Sequence, residues 1–171
     1  MKLHIGSRSR AEGWTTLDAE PGPEVDYLGD CQSLTQFADQ SLDTIYASHV
    51  LEHLPYRQID PALKDWCRAL RPGGTVMVAV PDFEVLAKLY LHPQAALEDR
   101  FLIIQMIFGG QLDKHDFHRV GFNAELLHYC LNEAGFTQIA RVADFGLFDD
   151  TSRIKYRGVP ISLNMTAKKP G

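Results

Sequence analysis

A length of 171 residues fits one domain with one substantial core, and 45% hydrophobic with 23% charged residues is the composition of a soluble globular chain. The formal charge of −5 argues against a generic nucleic-acid-binding surface, and no apolar run approaches the ~20 residues needed to cross a bilayer. Cys31, Cys67 and Cys130 lie far apart with no CxxC pair, and Lys2 is followed by no signal-type apolar stretch; reduced thiols in a cytoplasmic protein are expected, not a disulfide scaffold.

The first apolar run, Leu3-His4-Ile5, stops at Gly6, as a buried strand (Lys2–Ile5) does before a ligand-binding turn. The connection that follows carries Arg8 and Arg10 where a nucleotide loop would carry more glycine. It leaves room for one helical turn, although a parallel crossover normally takes about a dozen residues. Strands are predicted at Trp14–Asp18 and over residues 25–28, 43–48 and 75–80. The last is a continuous valine-rich run, the pattern of a strand buried on both faces. Between the last two, Ile59, Leu63, Trp66 and Leu70 fall at helical spacing, and Arg71-Pro72-Gly73-Gly74 is expected to stop that helix and turn the chain. The strand–helix–strand unit implies parallel strands with a right-handed crossover.

Helices are predicted over 81–91, 96–110 and 123–136, the last with Asn123 as N-cap and Gly135 as its stop. Strands over 137–144 and 159–168 complete a mostly parallel α/β sheet. Residues 145–158 read as a long exposed connection, a hairpin arm or a lid. The apolar run at 101–108 reads as a homodimer contact or as a core helix. The chain is read as a single domain, 1–171, with about 90–121 inserted on the substrate side.

Taken in order, HIGSRSRAEGWTTLD, YLGD, SLDTIYASHVLEHL and ALRPGGTVMVAVPD resemble the class I S-adenosylmethionine-dependent methyltransferases. The likeness is closer to the short bacterial "predicted methyltransferase" group (type 11-like). It runs from about Lys2 to Val80 and continues loosely through HRVGFNAELLHYCLNEAGF. The resemblance implies a Rossmann-like, doubly wound sheet of seven mostly parallel strands with the last strand antiparallel. It also implies S-adenosylmethionine as cofactor, lying across the carboxyl ends of the first strands.

Within that likeness, Asp18 ends the second strand, where a carboxylate accepts from ribose hydroxyls. Asp30 and the Cys31 N–H are placed to meet the adenine, and Gly6 lets backbone approach the cofactor. Ser48 and His49 sit toward the methionine portion. Asp18 and Asp30 are equally residues that turns favour, and Glu52 and His53 equally cap or pack a helix start. His118, His115 and His53 are the candidate general bases, since imidazole titrates near neutral pH. The HxxH pair His115/His118 does not by itself supply enough ligands for zinc, so no metal is expected.

The implied reaction is methyl transfer to a small-molecule or glycan-type acceptor, with no nucleic-acid or membrane partner. The alternative is a catalytically inactive methyltransferase-like binding module, favoured by Arg8 and Arg10 in the loop. A nicotinamide dehydrogenase is disfavoured because GxGxxG is absent.

Overall fold

The computed structural model of the protein describes residues 1–7 and 10–171; the expectation placed on Arg8 falls outside the described residues. One sheet is built from β1 (Lys2–Ile5), β2 (Trp14–Asp18), β3 (Tyr27–Leu28), β4 (Leu42–Ser48), β5 (Leu70–Pro81), β6 (Thr137–Val142) and the final strand. A two-stranded ribbon, β7 (Lys155–Tyr156) and β8 (Val159–Pro160), precedes that final strand, β9 (Ser162–Lys168). The order is β3-β2-β1-β4-β5-β9-β6. Strands β1 to β5 pair in parallel, whereas β9 runs antiparallel to both β5 and β6 and slots between them. The implied topology is borne out.

Register explains the core. Leu3 lies beside Ile45 and Val76, and Ile5 beside Ala47 and Val78, so every second residue of three neighbouring strands faces the same side. Two helices cover that side: α1 (Tyr56–Ala69), through Ile59, Leu63 and Trp66, and a later helix, through Leu127 and Leu131. Each fully buried aliphatic side chain there contributes roughly 1.5–3 kcal/mol. The 3.6-residue spacing in the sequence is this packing.

The opposite face carries His4 and Tyr46, adjacent in register, with the Trp14 ring beside them. No helix covers β1 and β2 there among the described residues, because the connection between them is too short. Residues 143–154 cover it instead. The Phe148 ring lies 4.5 Å from His4 and 5.2 Å from Trp14. Tyr46 donates to Asp150 Oδ2 at 2.8 Å, and Asn164 Nδ2 donates to the carbonyls of Ala143 and Ser152. The connection is largely exposed, as the sequence reading expected, yet it covers the sheet through Phe145, Phe148, Asp150 and Ser152, and it leads to a hairpin arm that turns at Arg157-Gly158.

Three further boundaries differ from expectation. Residues 71–74 do not separate helix from strand: Leu70 already pairs with Leu42 and Thr75 with Thr44, so these four form a bulge inside β5. The third strand shortens to two residues, and the sixth ends at Val142.

After β5 come α2 (Phe83–Tyr90), capped by Asp82 accepting from Val85 N, then α3 (Leu97–Phe108) and α4 (Ala124–Glu133), capped likewise by Asn123. α3 is not a core helix. Only Ile103 is fully buried, in a small satellite cluster with Leu86 and Ile161, while Leu97, Phe101 and Phe108 are exposed. Among the described residues no helix is long and apolar enough to cross a membrane.

Candidate functional site

A cavity of about 750 Å³ opens at the carboxyl ends of β1, β2 and β4. Its floor and one wall come from Ile5, Gly6, Leu17, Asp18, Gly29, Asp30, Cys31, His49, Val50 and His53, and residues 113–117 with Arg119 close it from the other side. Gly6 turns the chain at φ +76 while its N–H donates to the Leu17 carbonyl at 2.8 Å. A Cβ on Gly6 would collide with Val50 Cγ2. Conformation and contact both require glycine here.

Asp18 is half-buried at the end of β2; its Oδ1 accepts from Glu20 N at 2.8 Å, and Oδ2 accepts nothing from the described residues. Asp30 is exposed, and both its oxygens accept from Gln32, from the backbone N at 2.9 Å and from Nε2 at 3.0 Å. The Cys31 carbonyl accepts from Trp66 Nε1 at 2.7 Å, which ties this loop to α1. Burial, reinforced by Asp30, pushes the Cys31 thiol well above its ordinary value, so it is present as the neutral thiol.

Ser48 is not among the lining residues. It shares the strand face of Tyr46, and its hydroxyl lies 3.1 Å from Thr151 Oγ1 on the covered side of the sheet. Alternation along β4 separates it from its neighbours in the motif. Arg10 also turns away from the cavity. Its backbone N–H donates to Glu24 Oε2 at 2.8 Å, and its guanidinium pairs with Asp26.

Beside the cavity the chain leaves β4 through His49, which holds φ +54, a left-handed conformation costly for a residue with a Cβ. Its N–H donates to Ala79 O at 2.8 Å, and its ring Nε2 lies 2.9 Å from Ser162 Oγ. The short 3₁₀ turn Leu51–His53 then points Glu52 inward. Glu52 is 0% exposed. His49 Nδ1 stands 3.3 Å from Glu52 Oε1 and His118 Nε2 stands 3.9 Å from it, yet neither carboxylate oxygen accepts a hydrogen bond from the described residues.

The loop after α3 docks on this turn. Arg119 N donates to Glu52 O at 2.7 Å, and His53 Nδ1 lies 3.1 Å from Phe117 O. The His53 and His118 rings meet edge-on at 4.9 Å. Burial, partly opposed by the Glu52 charge, holds His118 below the ordinary imidazole value.

His115 and His118 do not share a face. The segment is a loop, in which His115 is exposed at the cavity rim and His118 turns inward to Glu52. Of the predicted site residues, Gly6, Asp18, Asp30, Cys31, His49, His53 and His115 line one cavity. His118 stands behind it and Ser48 lies on the other face of the sheet. Sequence reasoning weighed capping or packing for Glu52 against a place in an acidic crevice with Asp18 and Asp30, read 113–122 only as a substrate-side loop, and passed over Gln58. The His49–Glu52 spacing within SHVLEH was the available signal for Glu52.

The sequence model of the methyltransferase-domain family matches residues 8–78, the span from β2 into β5. Solved structures similar to this chain include a protein of Bordetella parapertussis at 14% identity and TM-score 0.62, covering 99% of this chain and 62% of that one. An S-adenosylmethionine-dependent methyltransferase of Archaeoglobus fulgidus is 15% identical with TM-score 0.63, over 98% and 85% of the two chains. The 1,6-didemethyltoxoflavin-N1-methyltransferase of Burkholderia thailandensis, solved with S-adenosylhomocysteine, is 16% identical with TM-score 0.61, over 99% and 71%. At these identities the likenesses establish the fold, and the family match adds a sequence pattern that contains Asp18, Asp30 and His49.

Proposed function

We propose that this chain, a class I S-adenosylmethionine-dependent methyltransferase by family match and by fold, holds its cofactor in the 750 Å³ cavity and methylates a small-molecule or glycan-type acceptor. The cavity volume lies within the range of small-molecule sites, and its donor set fits the cofactor. Asp18 Oδ2 is available for the ribose hydroxyls, Gly6 brings backbone close, and the Asp30–Gln32 turn with the Cys31 N–H meets the adenine. Asp18, Glu20, Asp30, Asp113 and Asp116 outnumber Lys114 and Arg119 in the lining, a balance that suits a cationic ligand.

S-adenosylmethionine held there by Asp18, Gly6 and the Asp30–Cys31 turn would supply an electrophilic methyl to the acceptor's lone pair, with the thioether as leaving group. The chain's own part is mainly alignment and exclusion of water. Phe117 and the 113–117 loop, from the segment 90–121, close over the acceptor end and restrict it to one approach. His53, His115 and His118 are the imidazoles grouped at or behind that end, placed to take the proton of a hydroxyl acceptor.

The observation that carries this reading is Asp18: a half-buried carboxylate whose Oδ2 accepts nothing from the described residues, beside Gly6 on the same cavity. Isothermal titration with S-adenosylmethionine and S-adenosylhomocysteine tests it. Micromolar binding is expected, lost in Asp18→Ala. Absence of heat or thermal shift at millimolar ligand in the wild-type protein refutes it.

A further inference from the structure

We propose that Glu52, His53 and His118 form a divalent-cation site of zinc type behind the acceptor end of the cavity. Their ligand-type atoms all lie within 4.8 Å of one another. Glu52 Oε1 and His118 Nε2 are 3.9 Å apart, a few tenths more than the ~3.4 Å between ligands of a tetrahedral ion with bonds of about 2.1 Å, a gap that a small side-chain shift closes. One carboxylate and two imidazoles are a donor set for borderline first-row ions, and three protein ligands leave a position open.

Glu52 supplies the independent observation. It is completely buried, and neither of its oxygens accepts a hydrogen bond from the described residues. A carboxylate in that state gains from a cation placed close by, and His49 Nδ1, 3.3 Å from Oε1, is the other group beside it. The neighbouring imidazoles are oriented by other partners: His49 Nε2 faces Ser162 Oγ, and His53 Nδ1 faces the Phe117 carbonyl. The second of these is the arrangement seen in metal-binding histidines. The ring nitrogen on a carbonyl carries the proton, which leaves Nε2 with a free lone pair.

The site is not the HxxH pair of the sequence. Of that pair only His118 takes part, and the other two ligands come from the turn after β4. Four backbone and side-chain contacts hold the two segments together: Arg119 N and Val120 N on Glu52 O, His53 on Phe117 O, and the His53–His118 ring contact. Because His53 lines the cavity, a bound ion opens toward the acceptor. That consequence rests on the methyltransferase reading and leaves His115 at the rim as the remaining candidate base.

Zinc titrated into the full, chelator-treated chain without cofactor tests the site directly. One zinc per chain at micromolar or tighter affinity is expected. His53→Ala and Glu52→Gln should each weaken it at least about tenfold, while His115→Ala leaves it unchanged. Cobalt(II) as a second probe should give visible d–d bands without a thiolate charge-transfer band, which separates this site from the cysteines. Since His53 is only partly buried, His53→Ala decides the question if Glu52→Gln does not fold. No stoichiometric zinc in the wild type, or equal affinity in His53→Ala, overturns the proposal. Because cofactor is absent throughout, that failure is distinct from failure to bind S-adenosylmethionine.

Discussion

Gly6→Ala tests the turn on which this side of the cavity depends. The backbone at this position has φ +76, where a residue with a Cβ costs roughly 1–2 kcal/mol. The new methyl also runs into Val50 Cγ2, and Val50 belongs to the main core at 8% exposure with one side on the cavity, so relief requires displacing a packed side chain. Overpacking of this kind costs about 1–3 kcal/mol. Together the substitution should destabilise the protein by about 2–5 kcal/mol, a large part of the stability of an ordinary domain.

Urea unfolding of the wild type, Gly6→Ala, Val50→Ala and the double variant separates the two effects. Val50→Ala alone leaves a void and costs about 1–3 kcal/mol. In the double variant the added methyl enters that void, so the losses should fall short of additive by about 1–3 kcal/mol, with the φ penalty remaining. A Gly6→Ala loss below about 0.5 kcal/mol, or strict additivity in the double variant, refutes the collision argument.

Two other substitutions have outcomes of definite sign. His4, packed among Tyr46, Trp14 and Phe148, has its pKa lowered by burial from 6.5 to about 4. Its neutral form is the one that folds, so its contribution is complete above pH 6.5 and is lost as pH falls toward 4, about 3 kcal/mol in all. Denaturation midpoints at pH 7 and pH 5 should therefore differ less in His4→Phe than in the wild type; an unchanged difference would show that other groups set the acid limit. Trp66→Phe removes the donor to the Cys31 carbonyl, worth about 0.5–1.5 kcal/mol, and, on the proposed placing of adenine beside Cys31, should weaken S-adenosylhomocysteine binding several-fold. Unaltered affinity by titration would mean the Cys31 loop is held without this bond.

Much of the sheet was legible because its signals are local. The valine run 75–80, the Ile59/Leu63/Trp66 spacing and the caps at Asn123 and Gly135 each occupy one short window, and each is found where its periodicity places it. Asp18 and Gly6 were legible for the same reason, as residues ending strands. The antiparallel direction of β9 followed from likeness to a family, not from periodicity, and its slot between β5 and β6 from neither.

What the sequence determined by itself was the α/β alternation, the core face of α1 and the strand-end residues of the cavity. Only tertiary structure decided that Ser48, one residue from His49, faces the other side of the sheet, because strand alternation acts against adjacency in a motif. It also decided that residues 143–154 replace a helix over His4 and Tyr46, since the connection between β1 and β2 is too short to build one. Glu52 and His118, sixty-six positions apart in the chain, meet because the loop after α3 bonds its N–H groups to the Glu52 carbonyl. No local pattern records such a contact, as its energy exists only once both segments are folded.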